Sequence, residues 1–560
     1  MSLRKRLIPW LATAAFLTAG GLFTGDGARA ARDELVIGMT QFPSTFNPVI
    51  DAMLAKSYVL AMTRRPLVIY DGDWSLACLL CVTLPTIENG LARRETLDDG
   101  GEGMALDYEI QPNATWGDGT PVTTEDVLFS WRVGKHPLTG VANRDAYDII
   151  TAIDVHGAKH FTVHLKKLYY DYPSRGAFTL LPAHLERAAF ADPTEYRHRT
   201  LYDADPTNPG LYYGPYRIED VVSGSHVVLV PNETWWGDAP HFKRIVVRVI
   251  ENTAALEANL LSGAVDYVAG ELGFSIDQAL SFERRHGGDF NILYKPGLIY
   301  EHIDLNLDNP ILADRRVRRA LMYAMDRESM VAQLFGGKQP VANSNVNPLD
   351  WVNSDDVPVY GYDPDRAAAL LEEAGWTEIK DGVRHKPSGE RLSLRLMTTA
   401  GNKLRELVEQ VLQSQWRRVG IEITIKNEPA RVFFGETVAK RAYPAMAMYA
   451  WLSSPESVPR STLHSEMIPT EDNNWSGQNG PGFANAEMDA LIEQTEIELD
   501  REVRRGLWRR MQQIYAEELP VLPLYFRAEA YILPPWLEGV EPTGHQATTT
   551  LWVERWRASE

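Results

Sequence analysis

Along this chain the hydrophobic pattern keeps changing period. Short runs that alternate every two residues give way to capped runs with helical spacing, and that succession specifies mixed α/β lobes. ELVIGM (34–39) and MALDYEI (104–110) read as strands. TTEDVLFSWRV opens a helix, with Thr123 or Thr124 as N-cap and Glu125 and Asp126 in the first turn, where the helix dipole favours them. AIDVHGAKHFTVHLK reads as two strands around Gly157, and GPYRIEDVVSGSHVVLVPN as a hairpin turning at Gly224. RIVVRVI (244–250) is a buried strand leading into the helix TAALEANLLSG, which ends at Gly263.

The second half continues in the same style. ADRRVRRALMYAM places Val317, Leu321 and Ala324 on one helical face. Asp326 caps the next helix, which stops near Gly336 and Gly337. In YDPDRAAALLEEAGW, Asp363 is an N-cap, Pro364 sits at N1 and Gly375 is the stop. KLRELVEQVLQSQWRRVG is amphipathic, with Leu404, Leu407, Val408, Val411 and Leu412 expected inward, and IEITI follows as a strand. No fixed-period repeat is present.

With 560 residues, three or four lobes are expected rather than one core. The first thirty residues combine a basic MSLRKR, an apolar stretch broken by Pro9, Gly20 and Gly21, and the small-x-small site Ala28-Arg29-Ala30. That pattern is a secretory signal peptide, cleaved after Ala30. No cysteine follows the apolar stretch, so no lipid anchor is expected. The net charge of −19 disfavours nucleic acid or an anionic membrane as a partner.

Only two cysteines occur, Cys78 and Cys81 in CLLC. In an exported protein they read as a local disulfide, which requires a turn at Leu79-Leu80 because an extended strand holds the two Cα atoms too far apart. A zinc site would need two more ligands, and no second pair has the spacing. His156, His160 and His164 would make a metal face on a helix, but Gly157 and the β-rich HFTVH imply a turn and a strand. No metal or cofactor is expected. GxSxG, HExxH, GxxxxGK[ST] and GxGxxG are all missing.

Several stretches, in order, resemble family 5 of the bacterial solute-binding proteins, the peptide- and nickel-type receptors of ABC importers. They are LPTIENGLA (84–92) leading into YEIQPNATWGDGTPVTTEDVLFSW (108–131), GPYRIEDVVSGSHVVLVPNETWWG (214–237) and IVVRVIENTAALEANLLSGAVDYV (245–268). ADRRVRRALMYAMDRESMV (313–331), YDPDRAAALLEEAGW (362–376) and FANAEMDALIEQTEIELDREVRRGLWRRMQQIYAEELPVLPLYF (483–526) complete the set.

The resemblance implies a periplasmic-binding-protein-like two-lobed α/β fold with an extra inserted domain. Lobe I would combine 31–82, 210–296 and 521–560; the inserted domain would be 83–209; lobe II would be 297–520. It implies a monomer that is not an enzyme. The protein would close on a peptide or peptide-like solute in the periplasm and deliver it to inner-membrane permease subunits served by cytoplasmic ATPases. The same fold could instead take a nickel chelate, a sugar, an opine or another amine. A secreted hydrolase or a sensor are the readings from other classes.

Relatives that bind peptides usually carry an Asp after the tryptophan corresponding to Trp451, paired with the ligand's α-ammonium. Here Trp451 is followed by Leu452-Ser453-Ser454-Pro455-Glu456, without an Asp. Glu456 either substitutes from a shifted position or is a solvated loop residue. Trp451 and Trp475 are expected as stacking walls, with Ser453 beside them and Asn474 as a hydrogen-bonding group. Arg460 either meets a ligand carboxylate or makes a surface ion pair. Gln41, Phe42 and Asn47, in the loop after the first strand, and Tyr300, near the lobe crossing, complete the expected contacts.

Overall fold

A computed structural model describes residues 32–559. The signal-peptide reading lies outside these residues. Among the described residues no helix is long and apolar enough to cross a membrane.

One ten-stranded sheet runs through both lobes. Its order is Glu422–Ile425, Ser393–Met397, Met446–Leu452, Asn291–Leu305, Val521–Leu533, Tyr267–Val268, Glu34–Met39, Arg244–Val249, His226–Pro231 and Tyr216–Val222. The two long central strands, Asn291–Leu305 and Val521–Leu533, are antiparallel neighbours and cross from one lobe to the other. Leu522 and Leu524 belong to the lobe II core, whereas Tyr531 and Leu533 belong to that of lobe I. Near the crossing their register shifts twice, between Pro296 and Tyr300 and between Glu301 and His302.

Local signals place the helices. Thr123 caps Thr124–Lys135 in a capping box with Asp126. Asp314 caps Arg315–Tyr323, Asp326 caps Arg327–Phe335, and Asp363 caps Pro364–Glu373, each accepting a backbone N–H. Gly336 takes the left-handed φ of +58° that ends its helix. The helix Lys403–Arg418 departs from expectation. Leu407 is exposed, and the buried stripe is Arg405, Val408, Leu412 and Trp416. Trp416 buries more surface than Leu407 and donates its Nε1–H to the Leu321 carbonyl, which sets the rotation of the helix.

The hydrophobic cores cut across the expected spans. A separate four-stranded sheet, Ala92–Thr96, Glu102–Glu109, His160–Leu165 and Ile150–Val155, forms the inserted domain. Its core takes in Leu67, Val68, Leu80 and Cys81 from before residue 83, runs to Leu180 and adds Tyr213. Beyond that point Leu181, Tyr196, Tyr202 and Leu211 pack into lobe I. Apolar side chains, not the span between two strands, decide which core a connecting segment joins. The strand Val521–Leu533 contributes side chains to the cores of both lobes.

Cys78 and Cys81 are disulfide-bonded, with Cα atoms 5.1 Å apart. The strand Leu76–Cys78 stops there, and the chain bends at Leu79 and Leu80. Of the three histidines, His164 lies between Glu95 and Asp154, and His156 Nε2 meets Thr162 Oγ1 at 2.7 Å.

Inside lobe II the fully buried Glu409 accepts a hydrogen bond from Asn427 at 2.8 Å. Burial pushes its carboxyl up to about 7. The folded chain therefore holds one more proton than the unfolded chain between the ordinary carboxylate range and about pH 7, and stability falls as pH rises through that window. Glu409→Gln should remove the effect. We expect it to raise stability at pH 8 by about 1–3 kcal/mol and to change little at pH 4.5, read by melting at both pH values.

Candidate ligand-binding site

Strand alternation builds the floor of a cavity in lobe II. In Asn291–Leu305 it sends Tyr300, His302 and Asp304 to one face, and Glu301, Ile303 and Leu305 to the other. The neighbouring strand places Trp451 opposite Tyr300, Tyr449 opposite His302 and Ala447 opposite Asp304. Ile303, Leu305, Met446 and Met448 fill the lobe II core. Glu301 lies on that side too, between Arg405 at 3.2 Å and Arg527. Burial alone would push its carboxyl up, but Arg527 and Arg405 outweigh it and hold the group below the usual carboxylate range.

The cavity encloses about 150 Å³. Tyr300, His302 and Asp304 form its floor, the loop Leu452–Leu463 its roof, and Asn347, Trp508 and Tyr515 part of its walls. Tyr300 stacks on His302 with centroids 5.1 Å apart and donates to or accepts from Tyr515 Oη at 2.7 Å. Tyr449 donates its hydroxyl to Asp304 Oδ2 at 2.6 Å. Trp451 is half-buried and, with Gln478, is shared between this cavity and a second one, lined also by Phe434, Tyr449 and Gly480.

The expected contacts divide. Tyr300, Trp451 and Ser453 line the cavity. Glu456 does not, and it is not solvated either. It is 8 % exposed, accepts from Arg504 Nε at 2.6 Å and Trp351 Nε1 at 3.0 Å, and holds a left-handed φ of +53°. Burial raises its carboxyl to about 7 against the pull of Arg504. Its carbonyl accepts the hydroxyl of Tyr170 from the inserted domain at 2.8 Å. Glu456 thus anchors the roof.

Arg460 is drawn away by Glu496 at 3.5 Å and Glu466 at 3.9 Å. Asn474 and Trp475 sit in a tight turn that Trp475 N closes on the Thr470 carbonyl at 2.7 Å, and both take left-handed φ. Asn474 is exposed, Trp475 is half-buried, and neither lines either cavity. Asn47 is buried in lobe I, where its amide donates to Thr200 and Tyr196 and its carbonyl oxygen accepts from Val49 N. Phe42 packs edge-on against Phe46, and Gln41 is exposed. None of these three reaches the cavity. Asn47 satisfies the backbone of its own loop at Val49 N, and that bond pulls it inward.

Sequence reasoning passed over His302 and Asp304. The signal was present in YEHIDL: both stand in register with Tyr300 on one strand face.

The sequence profile of the bacterial extracellular solute-binding proteins, family 5 Middle, matches residues 86–466. The chain belongs to family 5 of the bacterial extracellular solute-binding proteins, and the two-lobed α/β architecture is that of its relatives. It is 25 % identical over 530 residues to the oligopeptide-binding protein AppA of Bacillus subtilis (strain 168), covering 93 % of this chain and 91 % of that one. Among solved structures, the oligopeptide-binding protein of Thermus thermophilus complexed with a pentapeptide is similar at 29 % identity and TM-score 0.66, covering 94 % of this chain and 96 % of that one. NikZ of Campylobacter jejuni in complex with Ni(L-His) shares the fold at 23 % identity and TM-score 0.69, covering 94 % of this chain and 99 % of that one.

Two variants separate wall from anchor. Trp451→Ala should weaken ligand binding by about 1–3 kcal/mol in calorimetry while lowering the melting temperature little. Glu456→Ala leaves Arg504 buried without its carboxylate and should cost about 3–5 kcal/mol of stability in denaturant melts. An unchanged melt would show that the ion pair does not hold the roof.

Proposed function

We propose that this protein is the substrate-binding component of an ABC importer. It works in the periplasm as a monomer and delivers a short peptide or peptide-like solute to inner-membrane permease subunits served by cytoplasmic ATPases. The observation that carries this reading is the cavity beneath the Leu452–Leu463 loop. Its walls combine aromatic faces, Tyr300, Trp451 and Trp508, with neutral hydrogen-bonding groups such as Asn345, Asn347 and Ser457. Aromatic walls accept side chains of varied shape, and amide and hydroxyl groups match a peptide backbone. A cavity of about 150 Å³ can hold a benzene-sized group, so it suits one side chain or terminal group of a longer ligand.

The peptide ligands named for the relatives of Bacillus subtilis and Thermus thermophilus support the same reading. A hydrolase reading gains nothing from the site. No serine at the cavity hydrogen-bonds His302 among the described residues, and His302 Nδ1 faces the Tyr300 carbonyl rather than a carboxylate.

Native mass spectrometry of protein purified from the periplasm without denaturation tests the proposal. We expect a monomer carrying a heterogeneous set of short peptides. A single non-peptide mass, or a metal chelate, would replace the peptide reading with another solute.

A further inference from the structure

We propose that the contact between the inserted domain and lobe II is a proton-operated latch. Asp171, Asp350 and Glu456 hold it shut while they carry protons and loosen it when they ionise. The latch goes beyond the transport reading and does not depend on which solute the cavity takes.

Three bonds join the two bodies at Tyr170. Its hydroxyl donates to the Glu456 carbonyl at 2.8 Å and accepts from Val458 N at 3.4 Å, and its backbone N–H donates to the Glu496 carbonyl at 3.0 Å. Carboxyl groups crowd the same place. Asp171 follows Tyr170 in the inserted domain. Asp350 and Glu456 belong to lobe II, at 7 % and 8 % exposure, and Glu456 N donates to Asp350 Oδ2 at 2.6 Å. Tyr70 closes the group from the other side, on the strand Val68–Tyr70, whose Val68 joins the core of the inserted domain. Burial first, then Glu456, Asp171 and Asp350, push the Tyr70 hydroxyl up, so all three carboxyls act on one ring.

Positive charge falls short of this. Arg504 is enclosed with the group and donates to Glu456 Oε1 at 2.6 Å. Arg175 reaches Asp171 Oδ2 at 2.7 Å from an exposed position, and Asp171 Oδ1 is buried with no hydrogen-bond partner among the described residues. Arg501 and Arg505 lie over the Trp351 ring, at 4.2 and 5.5 Å, and Arg505 pairs with Glu502. The Glu496 carboxylate is taken by Arg460 at 3.5 Å. His545 packs edge-on against Tyr70, and burial holds its ring down to about 4, so it stays neutral. Three carboxyls thus share one enclosed guanidinium and one at the rim. A contact closed by apolar groups would cost less, so the excess acid on a movable contact is the feature that the latch explains.

Burial pushes Asp171 up against the pull of Arg175, Asp350 up to about 6, and Glu456 up to about 7 against Arg504. Swinging the inserted domain off lobe II lets water reach the group, and its carboxyls return toward their ordinary range. The shut form therefore holds more protons than the open form between that range and about pH 7. Its advantage is complete below the ordinary carboxylate range and is lost as pH rises through about 6 to 7. The protons pass to solvent, and like charges are left facing one another across the contact.

The test places nitroxide labels on two exposed positions, Asp98→Cys in the inserted domain and Ser388→Cys in lobe II, of the ligand-stripped full-length protein. The native cysteines are bonded to each other and take no label. Pulsed paramagnetic resonance reads the distance distribution at pH 5 and pH 8, with circular dichroism confirming an intact fold at both. The ratio of short to long separations should fall about tenfold or more between the two pH values, a factor of ten for each proton held over one pH unit. Asp171→Asn and Asp350→Asn each keep an acceptor oxygen and should flatten that response. Tyr170→Phe should loosen the contact at both pH values and keep the response, which separates the protons from the pin. A distribution that is the same at pH 5 and pH 8 in the unsubstituted background, or one that lengthens at pH 5, would overturn the latch. A full response in the doubly substituted Asn protein would overturn it too. If that protein fails to fold, the comparison of the two pH values in the unsubstituted background decides alone.

Discussion

The pairing of two strands, Asn291–Leu305 and Val521–Leu533, is the constraint on which the molecule is built. Each begins in one lobe and ends in the other, and their antiparallel ladder joins the two halves of the sheet. Because the same backbone serves both lobes, the face that floors the cavity and the face that fills the lobe II core are fixed together. A one-residue slip would exchange Tyr300, His302 and Asp304 for Glu301, Ile303 and Leu305. Glu301 guards against that slip. Its carboxylate sits between Arg405 on a packed helix and Arg527 on the partner strand, and neither arginine can follow it to the other face.

Much of this architecture is legible in the sequence because its signals are local. Asp314, Asp326 and Asp363 act as caps on neighbouring backbone, and Gly224 turns a hairpin with φ +71°. The rotation of Lys403–Arg418 is not legible in that way. Its buried stripe includes Arg405, whose partner Glu301 lies 104 residues earlier. The domain boundary is equally non-local, since Leu67 and Leu80 join a core whose other members come mainly from 92–180.

The site is less legible than the fold for the same reason. Trp451, Tyr300 and Ser453 can be placed from the order of segments, because strand and loop keep their sequence. Glu456 and Asn47 cannot, since each is a polar residue whose fate depends on a distant partner: Arg504 for one, Thr200 and Tyr196 for the other. Arg327 repeats the lesson. It is 4 % exposed, and its guanidinium donates to the carbonyls of Ala342, Pro523 and Tyr360.

The roof of the cavity is fastened to two bodies. Within lobe II it is tied by Glu456 to Arg504 and Trp351, and across the interface the Glu456 carbonyl is tied to Tyr170, whose own backbone N–H donates to the Glu496 carbonyl at 3.0 Å. Swinging the inserted domain away from lobe II would break both of these Tyr170 bonds and the one that Val458 N–H donates to its hydroxyl at 3.4 Å. Through Tyr170 the position of the inserted domain and the position of the roof are mechanically coupled.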